Sequence, residues 1–361
     1  MLLLISFLSF LLPTQLGLHL NSLSSTVYGF QIDYLIPTIY LTDLIALTII
    51  LLGIRKIKFK FWYVYLYVIF ALLNISISDL FLPSLYKWLK ITELILLGLI
   101  ILNTRKFDVF KHFIKPLSFS MFIVCVLGIL QFLNKGFIGG FFYWLGERSF
   151  LFSDPNIAPF PYSTFSHPNS FAGFLMVFGI FLLQLKVRFN QKYFWLLLFL
   201  ILINLILTSS LNVYITIVFL FFVMVKKNSA FLFLTFDTSQ RFITHRLELI
   251  KASIQMIKEN LFLGVGLNNF IPNLPKVTNT YLNAWELQPV HNIFLLVFSE
   301  TGIIGLLAFG YLLFVGLTVN SYGLIAIILT GLSDHYWLTL QQNMLLFTYV
   351  LIVNYKWKKK I

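Results

Sequence analysis

The stretch QPVHNIFLLVFSETG, residues 288–302, places His291 and Asn292 at the mouth of an apolar run, with Glu300 nine residues beyond the histidine. An imidazole in that position can take a proton from a hydroxyl near neutral pH. The plainer use of His291 and Asn292 is to cap the helix that begins just after Pro289. Glu300 is costly in apolar surroundings unless paired or protonated, so an interhelical polar link is expected of it. Arg246 and Arg241 each offer a fixed fork of donors that suits a phosphate, and their plainer role is the solvated face of a helix. His167 opens HPNSFAG, a tight helix start, and His335 sits in SDHYW beside Asp334. Residues adjacent in sequence do not face each other, so Asp334 and His335 are not read as a dyad. No H-x-x-x-H, H-E-x-x-H or cysteine pair marks a metal site, and no GxxxxGK[ST] loop cradles phosphate. GVGLNN at 264–269 follows a helix instead of a strand, which excludes a dinucleotide fingerprint.

The elements that must position these side chains are membrane helices. Of 361 residues 59% are hydrophobic and 11% charged, against roughly a quarter charged in a soluble domain. The apolar residues gather in blocks long enough to cross a hydrocarbon core of about 30 Å as helices, without the period-2 pattern of a membrane barrel. The sequence therefore predicts an all-α, polytopic bundle forming a single transmembrane domain over 1–361. Spans are expected near 1–17, 36–54, 61–78, 89–103, 116–133, 168–185, 193–208, 211–225, 292–317, 320–333 and 340–355. The first block has neither a basic start nor an A-x-A-like cleavage site, and it is read as a retained span. Cys125, the one cysteine, lies in an apolar block and is read as packing.

A net charge of +13 would suit a nucleic acid, but most of the 26 basic residues stand in short loops between apolar blocks. That placement is a topology signal, with the basic loops cytoplasmic, and nucleic acid is excluded as a partner. With a cytoplasmic start, two long segments face outward. An aromatic, Pro-rich stretch at 134–167 is expected at the membrane surface, and 237–291 forms a large outer loop. The latter holds RFITHRLELIKASIQMIKEN, whose Ile243, Leu247, Ile250, Ile254 and Ile257 recur at helical spacing. Eleven spans would leave the basic tail outside, so one further crossing is needed. NSAFLFLTF at 228–236 is its candidate, although a helix that short reaches only about half the thickness.

HPNSFAGFL at 167–175, then RLELIKASIQMIKEN running into LFLGVGLNNF at 246–270, then PVHNIFLLVFSETGIIGLL at 289–307, resembles the O-antigen ligase and O-antigen polymerase superfamily in both motif and order. YLIPTIYLTD at 34–43 and GLSDHYWLTLQQN at 331–343 resemble the ends of some bacterial members. The resemblance implies a metal-independent membrane glycosyltransferase with a GT-C-like bundle and no cofactor. Its donor would be a glycan on an undecaprenyl-pyrophosphate carrier, and its acceptor a glycan or lipid with a free hydroxyl. The reaction would occur at the outer face of the bacterial cytoplasmic membrane. His291 then matches the histidine that activates the acceptor, and Arg246 the arginine that holds the pyrophosphate. Arg241, Asn292, His167 and His335 are the further substrate-binding candidates.

Two departures stand out. Family members carry an arginine after a serine at the outer start of a span where this chain reads LTSSLNVY, with Leu211 in its place. The short 228–236 segment stands where a complete span is expected. The alternatives left open are a polysaccharide polymerase, a transporter of the same lipid-linked glycan, and an inactive, diverged member.

Overall fold

A computed structural model describes residues 1–20, 25–57, 60–148, 161–225, 240–278, 286–317 and 321–358. The candidate crossing at 228–236 lies outside these residues. The chain is helical, with four strands of two or three residues each among the described residues. The helices are α1 Leu2–Leu11, α2 Leu41–Gly53, α3 Phe61–Ser76, α4 Phe81–Asn103, α5 Lys115–Asn134, α6 Phe141–Trp144, α7 Pro168–Gln184 and α8 Gln191–Thr208. They continue as α9 Leu211–Val225, α10 Gln240–Glu259, α11 Phe270–Val277, α12 Ile293–Gly316, α13 Tyr322–Gly331, α14 Tyr336–Thr339 and α15 Gln341–Lys358. Phe110–Asn134, Gln191–Thr208 and Ile293–Gly316 are long and apolar enough to cross a membrane, and several shorter apolar helices accompany them.

The main core joins α1, α2, α4, α5, α7, α8, α13 and α15. Phe165, Phe171, Phe174, Phe178 and Trp337 lie at its centre, with Cys125 buried among them. Burying aromatic side chains of this size dominates the packing energy of such a bundle. Many polar groups inside it are paired, as a low-dielectric interior favours. Asn204 Nδ2 donates to the Cys125 carbonyl at 3.0 Å, and Ser9 Oγ donates to the Tyr349 hydroxyl at 3.0 Å. The helix α7 is buried nearly throughout, and Gly173 leaves room on it for the Tyr336 ring.

Three spans differ from expectation. The first helix stops at Leu11. Pro13 lacks the N–H that would continue the ladder, and Gly17–His19 instead pairs antiparallel with Thr38–Tyr40. Helix α4 begins at Phe81, eight residues before the expected 89, and so carries Lys87, Lys90 and Glu93 within it. Lys90 forms an ion pair with Asp43 of α2, whose other oxygen accepts from Gln341 of α15 at 2.6 Å. These partners make the charges tolerable inside an apolar bundle.

The third difference shapes the site. Helix α12 is broken at Gly302, whose backbone is at φ 65° and ψ −168°. The two arms fold toward each other until the rings of Phe294 and Phe309 lie 5.9 Å apart. Glu300 lies before the break, on the same arm that His291 and Asn292 open. The open backbone groups at the break are taken up by the turn after α10. Val265 N–H donates to the Ser299 carbonyl at 2.9 Å, Gly266 N–H to the Glu300 carbonyl at 3.0 Å, and Ile303 N–H to the Leu261 carbonyl at 2.8 Å. Gly264 and Gly302 both take positive φ, and a Cβ on either would overlap the backbone of the opposite segment. This is the physical use of the closely spaced glycines in GVGLNN.

Asn74, at the end of α3, locks the junction. Its Nδ2 donates to the carbonyls of Leu263 and Glu300 at 2.8 and 2.9 Å, while its Oδ1 accepts from Leu267 N–H and Trp88 Nε1. Glu300 accepts the amide of Phe270 at 3.2 Å, which ties α12 to the start of α11. A second core, containing Leu249, Ala252 and Met256 of α10, Phe270, Ile271 and Leu274 of α11, Val290 and Leu296, packs at this end of the bundle.

Candidate active site

The side chains singled out in the sequence meet where α7, α12 and α14 begin. His167 is the N-cap of α7, and its Nδ1 accepts the Asn169 amide at 3.1 Å, with Pro168 fixing the first helical turn. Asn292 caps α12. Its Oδ1 accepts the amides of Phe294 and Leu295, both at 2.9 Å, and its Nδ2 donates to the Leu332 carbonyl at 2.9 Å. The Asn292 amide is thus spent on positioning, and His291 next to it is held out of the cap. His291 Nε2 lies 3.1 Å from Gln288 Oε1, and its Nδ1 faces Asp334 Oδ1 at 3.8 Å, an ion-pair distance.

Asp334 is the residue that the sequence reading missed as a partner of His291. It is buried in the turn between α13 and α14, where its Oδ1 accepts the His335 amide at 2.8 Å and its Oδ2 receives Asn169 Nδ2 at 3.4 Å. Burial alone would raise its pKa. The interaction with His291, together with His335 and His167, outweighs burial and holds the carboxyl well below the usual range. The pairing is invisible in sequence, because Asp334 lies outside the run that carries His291 and beside a different histidine. That neighbour, His335, does not pair with it through side chains. His335 Nδ1 lies 2.9 Å from Thr339 Oγ1, and its ring packs edge-on against Tyr34 at 5.4 Å and lies 5.0 Å from the ring of His291. Burial first, and then the charge of His291, pushes the His335 pKa down to about 3.

Arg246 stands half-buried on α10 beside this group. Its charge and that of His291 both lower the pKa of His167 and of His245, after burial as the main cause. Helix α10, which carries His245 and Arg246, packs against α12, which His291 precedes. Arg241 belongs to α10, but its side chain is outside the described residues. Leu211 begins α9 with its side chain exposed, so an apolar group occupies that place. Among the described residues Lys87 makes no ion pair. Its Nζ donates to the Met344 sulfur at 3.5 Å, and its charge reaches both Glu300 and His335.

The ligand-type atoms of His291, Asp334 and His335 lie within 4.8 Å of one another, a grouping that linear spacing does not show and that has the chemistry to hold a divalent cation. Two of those atoms have other work. Asp334 Oδ1 receives the His335 amide, and His291 Nδ1 faces the same oxygen.

The fold and site together define a polytopic helical membrane protein with a histidine–carboxylate pair at one end of its bundle. Residues 166–310, about two fifths of the chain, match the family model described as O-antigen ligase, so this segment is similar to that family. The match takes in His167, Arg246, His291 and Glu300, while Asp334 and His335 fall beyond its end. No curated protein matches the chain.

Proposed function

We propose that the chain transfers a glycan from an undecaprenyl-pyrophosphate carrier to an acceptor hydroxyl at the outer face of the cytoplasmic membrane. The observation that carries this reading is the pairing of His291 with a buried carboxylate at 3.8 Å, with Arg246 on α10, which packs against α12. The basic turns also lie at the opposite end of the bundle. His167 opens α7, and Lys186 and Arg188 follow its far end, a polarity that the positive-inside rule makes cytoplasmic for the basic end.

Turning the Gln288 amide over leaves every heavy atom in place and gives His291 the tautomer with Nδ1–H toward Asp334 and a free pair on Nε2. The acceptor hydroxyl then replaces the Gln288 amide at Nε2. Its oxygen attacks the anomeric carbon as its proton passes to Nε2, and the bond from that carbon to the diphosphate oxygen breaks. The diphosphate leaves with the bonding pair, and the proton on His291 goes to it or to solvent. Arg246 meets the charge that develops on the leaving group, and Asp334 stabilises the imidazolium. A diphosphate is already a good leaving group, so positioning and charge neutralisation are the main contributions asked of the protein.

The break in α12 at Gly302 and the ion cluster of Lys90, Asp43 and Glu93 support a second reading, a transporter of the same lipid-linked glycan. In vitro transfer with a radiolabelled undecaprenyl-pyrophosphate glycan separates the two. The enzyme reading expects product from the wild type, none from His291→Ala, and weakened donor use in Arg246→Lys, where the bidentate fork is lost. Unchanged turnover in His291→Ala would remove that side chain from the mechanism. Movement of donor across vesicles without product would favour transport.

A further inference from the structure

The helix α10 has three different sides. At about 100° per residue, Leu249, Ala252, Ser253 and Met256 share the side buried against α11 and α12. Glu248, Gln255 and Glu259 share a second side, where Gln255 Nε2 bonds Glu259 Oε1 in an exposed pair. The third side is the apolar stripe that the sequence shows most clearly, and the protein does not cover it. Leu247 and Ile254 are 51% and 42% exposed, with Ile250 and Ile257 half-buried between them. Leu261 and Phe262, which continue that side past the end of the helix, are 46% and 68% exposed.

What covers this face follows from what it joins. Leu261 is bonded through its carbonyl to Ile303, and from there the apolar second arm of α12 presents Ile304, Leu307, Tyr311, Leu312 and Phe314, all exposed. The exposed side of α10 is thus an extension of a lipid-facing surface. Lys251 and Lys258 stand between the apolar and polar sides, where long side chains bury their stems and keep their charges at headgroup level.

We infer that α10 lies along the membrane surface on the side of the site, with Leu247, Ile250, Ile254, Ile257 and Leu261 in the acyl-chain boundary of a phospholipid bilayer and its glutamates in water. The helix is then a membrane-bound element of the fold. Arg246 sits where the lipid side meets the protein side, so the bilayer sets the height at which its guanidinium is presented.

The test uses the full chain in vesicles of phosphatidylethanolamine and phosphatidylglycerol. The protein's own Cys125 is buried, which leaves an unlabelled background. Ile254→Cys, Leu261→Cys and Gln255→Cys are each labelled with an environment-sensitive nitrobenzoxadiazole dye, and retained melting behaviour is required of all three. Labels at 254 and 261 are expected to emit to the blue of the label at 255, and to be quenched by lipids brominated near the headgroup end of the acyl chain. The label at 255 is expected to be quenched by aqueous iodide. Iodide quenching at 254 and 261 equal to that at 255 would overturn the inference. So would protection of 254 and 261 from both quenchers, which would show a second copy of the chain on this face. None of these readouts depends on glycan transfer, so the result stands apart from the enzymatic reading.

Discussion

Asp334→Asn tests the histidine–carboxylate pair most directly, because it removes one charge and keeps the side chain's shape. The carboxylate stands 3.8 Å from His291 Nδ1 and is buried. At an effective dielectric constant of about 20, its attraction to a fully formed imidazolium at that distance is about 4 kcal/mol. That charge forms on the imidazole as the acceptor's proton passes to His291 in the transition state. Most of the interaction is therefore lost from the barrier, which corresponds to roughly a hundred- to a thousandfold fall in kcat. The Asn oxygen can still accept the His335 amide, so the turn is expected to hold, and the KM for donor should change little. The assay is steady-state transfer from a labelled lipid-linked donor in proteoliposomes, with kcat and KM resolved and melting compared with the wild type. A variant that folds and turns over within a few-fold of wild type would refute the electrostatic role given to Asp334.

Three further outcomes follow from other contacts. Glu300→Gln should retain near wild-type melting, because an acceptor remains for the Phe270 amide. Glu300→Ala should lose about 1–3 kcal/mol by orphaning that amide, and equal melting of the two would contradict the assigned link. Folded His335 stays neutral down to about pH 3, while the unfolded chain takes up its proton near pH 6.5. Stability is therefore lost as pH falls from about 6.5 toward 3, by at most about 1.4 kcal/mol per pH unit from this group. His335→Gln should flatten the pH dependence of melting across that window, and an unchanged slope would sink the assignment. Chelation of divalent cations should leave transfer unchanged. Loss of activity restored by zinc would instead make His291, Asp334 and His335 a metal centre.

Composition determined that this chain is a bundle of membrane helices, because blocks of apolar residues have few other ways to satisfy their backbone in lipid. Motif order also carried the superfamily to residues 166–310, and residue type marked His291 and Arg246 as the groups able to move a proton and hold a phosphate. The apolar stripe of α10 was equally legible, but its partner was not, since periodicity does not say which face a neighbour takes. Only the tertiary structure set Asp334 opposite His291, because that contact joins two turns whose closeness depends on how α12 and α13 pack. The break at Gly302 was hidden for a related reason. A glycine in an apolar run is compatible with a straight helix until another segment, here the turn at 261–266, supplies partners for the backbone groups that the break sets free.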